Sequence, residues 1–281
     1  MKTNKKKTSK ISKRTAKESK AIKKGADTPL PRGQAKPAPV SIFIIGESPL
    51  VEQYAEMCSL HGYEVYISWN ETPAQKPDFN THGIKITNII PVKTSLVLEL
   101  TNIDIPAKKK NLEWFDTTLA MSAPILSSSV TITAAEQSSW ISGKHRLVGF
   151  AALPMLIQKP LVEIAPTVFS PKETLEVARL FFRSIGKDIE IVQDRVGMVL
   201  PRMLCRIINE AAFAITEDIA SPQDIDTALK LGVKFPLGPF ELAEQIGLKQ
   251  VYAVLSALHS DLQEERYRVA PLLKQLAMTR V

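Results

Sequence analysis

Residues 40–46 read Val-Ser-Ile-Phe-Ile-Ile-Gly, an apolar run that ends in glycine. Such a run is typical of a buried parallel strand that enters a turn. Residues 49–61 follow with apolar side chains at helical spacing, Gly62 closes them, and residues 64–68 have the pattern of a second strand. Together these segments predict a βαβ unit of about 30 residues, the entrance to a Rossmann-like α/β domain.

The alternation of strands and helices continues beyond this unit and then stops. Before residue 194 we predict strands over 83–87, 95–100, 123–127, 147–153, 161–165 and 189–191, and helices over 108–120 and 171–185. After it, the periodicity is helical throughout, over 198–220, 222–231, 240–247, 248–259 and 271–278. The pattern predicts a Rossmann-like domain over residues 38–193 and an all-α domain over residues 194–281.

The net charge of +7 is concentrated at the amino terminus. Residues 1–36 hold 13 Lys and Arg against Glu18 and Asp27, which leaves 23 basic and 27 acidic residues of the totals of 36 and 29 for the rest of the chain. A segment so poor in apolar side chains cannot offset its ordering entropy by burial. We therefore predict a disordered basic tail over residues 1–37, able to contact nucleic acid or another anionic surface.

Several classes of protein are disfavoured by composition. No apolar run approaches the roughly 18 residues that a membrane span requires, so we do not expect an integral membrane protein. The lysine-rich start lacks the apolar stretch of a secretory signal, and we expect a cytoplasmic protein. Cys58 and Cys205 lie far apart without CxxC spacing, which predicts two buried thiols, with neither a disulfide nor a metal site.

The motifs of the carboxyl-terminal third carry a resemblance to a known family. They are Asn209-Glu210-Ala211, Ser221-Pro222-Gln223-Asp224-Ile225-Asp226, the run Leu-Gly-x-x-x-Pro-Leu-Gly-Pro-Phe-Glu-Leu over 231–242, and Ile246-Gly247-Leu248. In order and spacing they resemble the helical domain of 3-hydroxyacyl-CoA dehydrogenases, the 3-hydroxybutyryl-CoA dehydrogenases among them. The resemblance extends over residues 41–278. It implies a helical domain of the 6-phosphogluconate dehydrogenase C-terminal type, and a homodimer formed through that domain.

The resemblance also locates the positions that carry catalysis in that family. There a histidine accepts the proton of the substrate hydroxyl, and a glutamate about twelve positions later orients the imidazole. Aligned on Leu161-Val162-Glu163, the histidine position of this chain is Ala151, while Glu163 keeps the place of the orienting residue. The family's asparagine is Pro201 here. Ser128 corresponds to its substrate-binding serine, so Ser128 and Glu163 are the remaining catalytic counterparts.

The predicted cofactor loop departs from the family independently. A dinucleotide loop of the type Gly-x-Gly-x-x-Gly lets the backbone approach the pyrophosphate closely. Residues 46–51 read Gly-Glu-Ser-Pro-Leu-Val, so only Gly46 remains as a cofactor-binding candidate. Glu47 brings a negative charge toward a phosphate and Val51 is bulky. At the end of the second strand, Trp69-Asn70 stands where the family has its ribose-binding acid.

Two further segments bear on ligand binding. Residues 70–82 replace the helical excursion that helps hold coenzyme A in the family, which weakens the expectation of acyl-CoA as a ligand. Glu99 and the lysines at 108–110 resemble a glutamate-containing strand and the lysine segment after it. Three lysines at the start of a helix also predict a solvated face.

We interpret the chain as a catalytically degenerate member of the 3-hydroxyacyl-CoA dehydrogenase family, a pseudoenzyme with a binding or structural role and no cofactor. One alternative is an active NAD-dependent oxidoreductase of 3-hydroxyacyl-CoA in fatty-acid metabolism, with an unusual site. Another is a nucleic-acid-associated protein that binds through its basic tail. Loss of the histidine alone predicts a rate lower by a factor of about 10²–10⁴.

Overall fold

A computed structural model of the protein describes residues 40–71, 73, 77, 79 and 83–279, and the predicted tail over residues 1–37 lies outside them. The strands in this part form one sheet. In chain order they are β1 (Ser41–Gly46), β2 (Glu64–Trp69), β3 (Ile84–Ile86), β4 (Thr94–Leu100), β5 (Ile125–Ser128), β6 (Leu147–Phe150), β7 (Leu161–Pro166) and β8 (Asp188–Ile191). Their spatial order is β3-β2-β1-β4-β5-β6-β7-β8, and all neighbours pair in parallel except β6 and β7.

Helices cover both faces of this sheet. They are α1 (Leu50–Leu60), α2 (Ile105–Thr118), α3 (Ala134–Ser138) and α4 (Lys172–Ser184). Alternate residues of β1 point to opposite sides, so Ile42 and Ile44 pack in one core with α1 and α4, while Phe43 and Ile45 pack with α2. This doubly wound arrangement confirms the predicted Rossmann-like fold.

The chain is helical after β8, as predicted. The helices are α5 (Leu200–Thr216), α6 (Pro222–Gly232), α7 (Pro239–Ile246), α8 (Leu248–Leu262) and α9 (Pro271–Thr279). They enclose a core that includes Leu204, Ile208 and Leu255, and this core also contains Ala151, which follows β6, and Ala165 in β7. Residues of the sheet and of the helical part thus share one core. No helix in the described part of the chain is long and apolar enough to cross a membrane.

The main departures from the predicted elements have local causes. Strand β6 ends at Phe150, three residues early, and a 3-10 turn over Pro154–Gln158 follows, since proline cannot donate a ladder hydrogen bond. Helix α2 begins before Lys108 because Asp104 caps it, its carboxylate accepting from the Ala107 N–H at 2.9 Å. The short helix α3 was not predicted.

The two cysteines are buried and free, as predicted. Burial raises the pKa of Cys205 to about 12 and raises the pKa of Cys58 as well. Both thiols are therefore neutral and unreactive at ordinary pH.

Candidate functional site

The sheet reverses its strand order between β1 and β4. Helix α1 leaves β1 toward one face and α2 leaves β4 toward the other, so a crevice opens where the two connections diverge. In open α/β sheets, ligands bind in the crevice at such a switch point. Gly46 and Leu100, which pair at the carboxyl ends of the two strands, mark its position here.

Glu47 fills this crevice with a carboxylate from the protein itself. Its Oε1 accepts hydrogen bonds from the backbone N–H groups of Ile103 at 2.8 Å and Asp104 at 3.0 Å, and its Oε2 accepts from Asn102 at 3.1 Å. These donors lie directly before α2, at the positive end of its dipole. A phosphate group placed here would meet a negative charge and donors that are already bonded.

Buried amide side chains continue from Glu47 to the helical part. Gln250, at the start of α8, donates from Nε2 to Glu47 Oε2 at 3.0 Å, and its Oε1 accepts from Asn102 Nδ2 at 2.9 Å. The Ser128 hydroxyl donates to Asn102 Oδ1 at 2.5 Å. We call Glu47, Gln250, Asn102 and Ser128 the amide bridge. Because its members bond one another, the hydroxyl of Ser128 is engaged inside the protein.

The position of the expected catalytic base is apolar. Ala151 follows β6 and is 4% exposed, within a core that includes Val130 and Met198. Of the histidines that the structure describes, His61 caps the end of α1 and bonds the Met57 carbonyl oxygen at 2.8 Å. His145 lies before the start of β6, at the opposite end of that strand from Ala151, and His259 in the last turn of α8.

Glu163 lies next to Ala151, but its carboxylate bonds the backbone of a different segment. The Ala151 N–H donates to the Glu163 carbonyl oxygen at 2.9 Å. The carboxylate itself accepts from the N–H groups of Val199 at 2.9 Å and Leu200 at 2.7 Å, so it caps the amino terminus of α5. Pro201 is buried in the first turn of α5. N–H groups in the first turn have no acceptor within the helix, so the missing N–H of proline costs no hydrogen bond there.

Truncating Glu163 should therefore destabilise the fold. We expect Glu163→Ala to lower the free energy of unfolding by about 0.5–2 kcal/mol, because two N–H groups at the amino terminus of α5 lose their acceptor. Glu163→Gln keeps one acceptor oxygen and should cost less. Urea unfolding followed by circular dichroism measures both. Equal stability of Glu163→Ala and the unmodified protein would contradict the capping role.

The end of β2 is also committed to internal contacts. Trp69 donates from Nε1 to Glu52 Oε1 at 2.8 Å. Asn70 donates from Nδ2 to Thr101 Oγ1 at 2.7 Å, and its Oδ1 accepts from Asn111 Nδ2 at 2.9 Å. Neither side chain supplies the carboxylate that holds ribose hydroxyls in dinucleotide-binding folds.

A fully buried ion pair lies beside the amide bridge, and sequence reasoning missed it. Lys108 in α2 pairs with Glu99 in β4, and Lys108 Nζ also donates to Ser127 Oγ at 3.1 Å and the Ser128 carbonyl oxygen at 3.0 Å. Asn111 Nδ2 donates to Glu99 Oε1 at 3.2 Å. Burial lowers the pKa of Lys108, although the Glu99 carboxylate opposes the shift.

The predicted solvated face over residues 108–110 is thus wrong for Lys108 and correct for Lys109 and Lys110, which are exposed. Lys108 turns inward because Glu99 stands in an apolar strand and needs a cation. That carboxylate, between Leu98 and Leu100, was the signal in the sequence that could have revealed the pair.

These residues do not fit a dinucleotide. The Glu47 carboxylate accepts the hydrogen bonds of the crevice donors, and Val51 lies on the buried face of α1 in the core. Gly46 allows β1 and β4 to pack closely, because a Cβ at this position would lie 2.5 Å from the Leu100 carbonyl carbon. Among the described residues there is also no group of three His, Cys, Asp or Glu that could hold a metal ion.

Two clefts lie next to the amide bridge, since Gln250 lines one of them and Asn102 lines the other. One, of 530 Å³, lies between Ser48-Pro49 and the residues that join α7 to α8. The other, of 570 Å³, lies between Thr131 and the face of α8 that carries Tyr252 and Ser256. Both have the volume of small-molecule sites, and both are lined mainly by apolar atoms. They offer space for an apolar ligand, while the N–H groups of Asn102 and Ile103 beside them are bonded to Glu47.

Comparison with known proteins identifies relatives of the helical part and of the whole fold. Residues 197–280 match the family of the 3-hydroxyacyl-CoA dehydrogenase C-terminal domain. The chain is 28% identical over 178 residues to the 3-hydroxybutyryl-CoA dehydrogenase of Bradyrhizobium diazoefficiens. The aligned region covers 63% of this chain and 61% of that protein. It is also 28% identical over 180 residues to a probable 3-hydroxybutyryl-CoA dehydrogenase of Bacillus subtilis, and this alignment covers 64% of this chain and 63% of the relative. The matches thus span less than two thirds of either relative.

Among solved structures, the fold is similar to that of the (S)-3-hydroxybutyryl-CoA dehydrogenase from Ralstonia eutropha. The TM-score is 0.71 at 22% sequence identity, and the match covers 86% of this chain and 94% of that one. At this identity the likeness concerns the fold. Function has to be argued from the site itself.

Proposed function

The chain belongs to the 3-hydroxyacyl-CoA dehydrogenase family, and within it we propose that this protein has no NAD-linked dehydrogenase activity and serves a binding or structural role. The observation that carries the proposal is the Glu47 carboxylate on the backbone donors of residues 102–104. A dinucleotide would have to displace this carboxylate, and with it the bond to Gln250, before its phosphates could approach.

The catalytic positions support the same conclusion. Ala151 has no proton-accepting atom, Glu163 caps α5 instead of orienting an imidazole, and Ser128 donates to Asn102. A missing general base costs a factor of about 10²–10⁴ in rate by itself. Because cofactor and base belong to one reaction, losing both argues for a protein that is not selected for that reaction.

We extend the proposal to a homodimer that forms through the helical part. Its support is an exposed apolar surface at the start of α5, where Val199, Leu200 and Met203 are 54%, 38% and 55% exposed. The basic tail, with 13 positive and two negative side chains over residues 1–36, is proposed to contact an anionic partner.

The test follows NADH oxidation with acetoacetyl-CoA at high protein concentration, beside a titration of NADH by fluorescence. We expect no turnover above background, whereas enzymes typically reach about 1–10³ per second. We also expect no saturable NADH binding, because Glu47 occupies the crevice.

Ala151→His is the informative variant in the same assays. A histidine restored at this position should remain inactive, because the dinucleotide crevice is still closed. An active member of the family serves as the positive control. Turnover by the unmodified protein at an enzymatic rate would overturn the proposal and favour the active oxidoreductase.

A further inference from the structure

Arginine side chains gather around one tyrosine ring in the helical part, away from the crevice residues described above. The guanidinium carbons of Arg202, Arg206 and Arg266 lie 5.9, 5.2 and 5.0 Å from the ring centroid of Tyr267. No two of them can therefore be more than about 12 Å apart, twice the largest of these distances, and at this range like charges repel. Tyr267 is 4% exposed, and each of the three guanidinium groups is within range of a cation–π contact with its ring.

The positive charge of this cluster is only partly compensated. Arg266 pairs with Glu264, with 2.5 Å between Nε and Oε2. Within the part of the chain that the structure describes, Arg202 and Arg206 have no carboxylate within 4.0 Å. Arg202 donates from Nη2 to the Val196 carbonyl oxygen at 2.6 Å, but its Nε is buried without an acceptor. Arg206 contacts the Tyr267 ring and has no hydrogen-bond or ion-pair partner among the described residues, so its donors remain available to a ligand.

The backbone that carries these arginines is fixed in place. Arg202 and Arg206 are one turn apart on α5, and Tyr267 lies in the 3-10 turn Glu265–Tyr267. Asn209, also on α5, donates from Nδ2 to the Arg268 carbonyl oxygen at 2.9 Å and accepts from the Ala270 N–H at 2.9 Å. The amide clamps the residues after the turn against the helix, so the backbone segments that carry the arginines are held together.

We propose that Arg202, Arg206 and Arg266 form a binding site for a small phosphate-bearing anion. Planar guanidinium groups match the oxygens of a phosphate in paired hydrogen bonds, and a doubly charged group among them would offset their mutual repulsion. The phosphate could be free or the terminal group of a nucleotide. Because the arginines cover the Tyr267 ring, the cluster presents no aromatic face on which a base of a nucleic acid could stack.

Isothermal titration of the full chain with inorganic pyrophosphate, and separately with ADP, tests this site. Arg206→Ala should weaken binding about tenfold or more, the loss expected when one charge-assisted contact is removed. Arg183→Ala is the matched control, since Arg183 is exposed on α4 and forms no ion pair with a described residue. Both variants keep the basic tail, so binding by the tail is common to all samples.

Thermal unfolding confirms that the variants are folded, and Arg206→Lys, which keeps the charge but not the paired donors, should bind with intermediate affinity. Tighter binding of ADP than of pyrophosphate would identify a nucleotide as the source of the phosphate, and equal binding would identify the phosphate group alone. If Arg206→Ala and Arg183→Ala bind pyrophosphate as well as the unmodified protein does, the site does not exist.

Discussion

Replacing Lys108 with methionine is expected to lower the free energy of unfolding by about 3–5 kcal/mol. The Lys108 and Glu99 side chains are both 0% exposed, so the substitution leaves a carboxylate buried without its cation. The remaining donors to Glu99, from Asn111, Ser127 and the Thr101 N–H, are neutral and cannot replace the ammonium charge. Urea unfolding with fluorescence detection measures the loss.

Two further variants separate the charge from the loss of packing. Lys109→Met removes a charge from the neighbouring exposed position and should change stability by no more than about 0.5 kcal/mol. Combining Lys108→Met with Glu99→Leu removes both charges and should recover much of the loss, because no unpaired ion remains. If Lys108→Met proves as stable as Lys109→Met, the buried pair does not carry the stability that we assign to it.

Gly46→Ala should cost about 3 kcal/mol, near the upper end for an added methyl group in a packed interior. The new Cβ would lie 2.5 Å from the carbonyl carbon and 2.8 Å from the Cα of Leu100, both backbone atoms of the neighbouring strand. To relieve this contact, β1 or β4 would have to move at the crevice, where Glu47 is bonded to the residues that follow β4. Thermal and urea unfolding measure the effect.

Gly62→Ala provides the matched control. Gly62 has a φ of +86°, but a Cβ there would meet nothing within 4 Å, so only the backbone conformation is penalised. This substitution should cost about 1–2 kcal/mol. If Gly46→Ala is no more harmful than Gly62→Ala, the strands accommodate the methyl group and the close approach of Gly46 to Leu100 is not required.

Much of the fold follows from patterns within short segments of sequence. The buried strand and helix over residues 41–60 repeat the predicted βαβ start, and the helices after residue 194 lie where their periodicity placed them. The antiparallel β7 was not predicted. The connection between β6 and β7 is nevertheless shorter than the dozen or more residues that a parallel crossover requires. The length of this connection alone therefore predicts that the two strands are antiparallel.

The site was less accessible to such reasoning because its contacts are distant in sequence. Ala151 and Pro201 could be assigned from neighbouring motifs. Gln250 could not be singled out, since its partners Asn102 and Glu47 lie 148 and 203 residues away and nothing local distinguishes this glutamine. Similarly, Glu163 caps α5 only because the fold places the amino terminus of that helix beside its carboxylate.

The amide bridge also determines how the molecule can move. Enzymes that bind ligands between two parts commonly open and close by a hinge movement, which admits the substrate and then excludes water. Here Gln250 ties α8 to residues that follow both β1 and β4, so opening this crevice would break its bonds to Glu47 and Asn102 together. Because Gln250 lines one of the two clefts and Asn102 lines the other, a ligand that binds in either cleft must fit the shape that these hydrogen bonds hold.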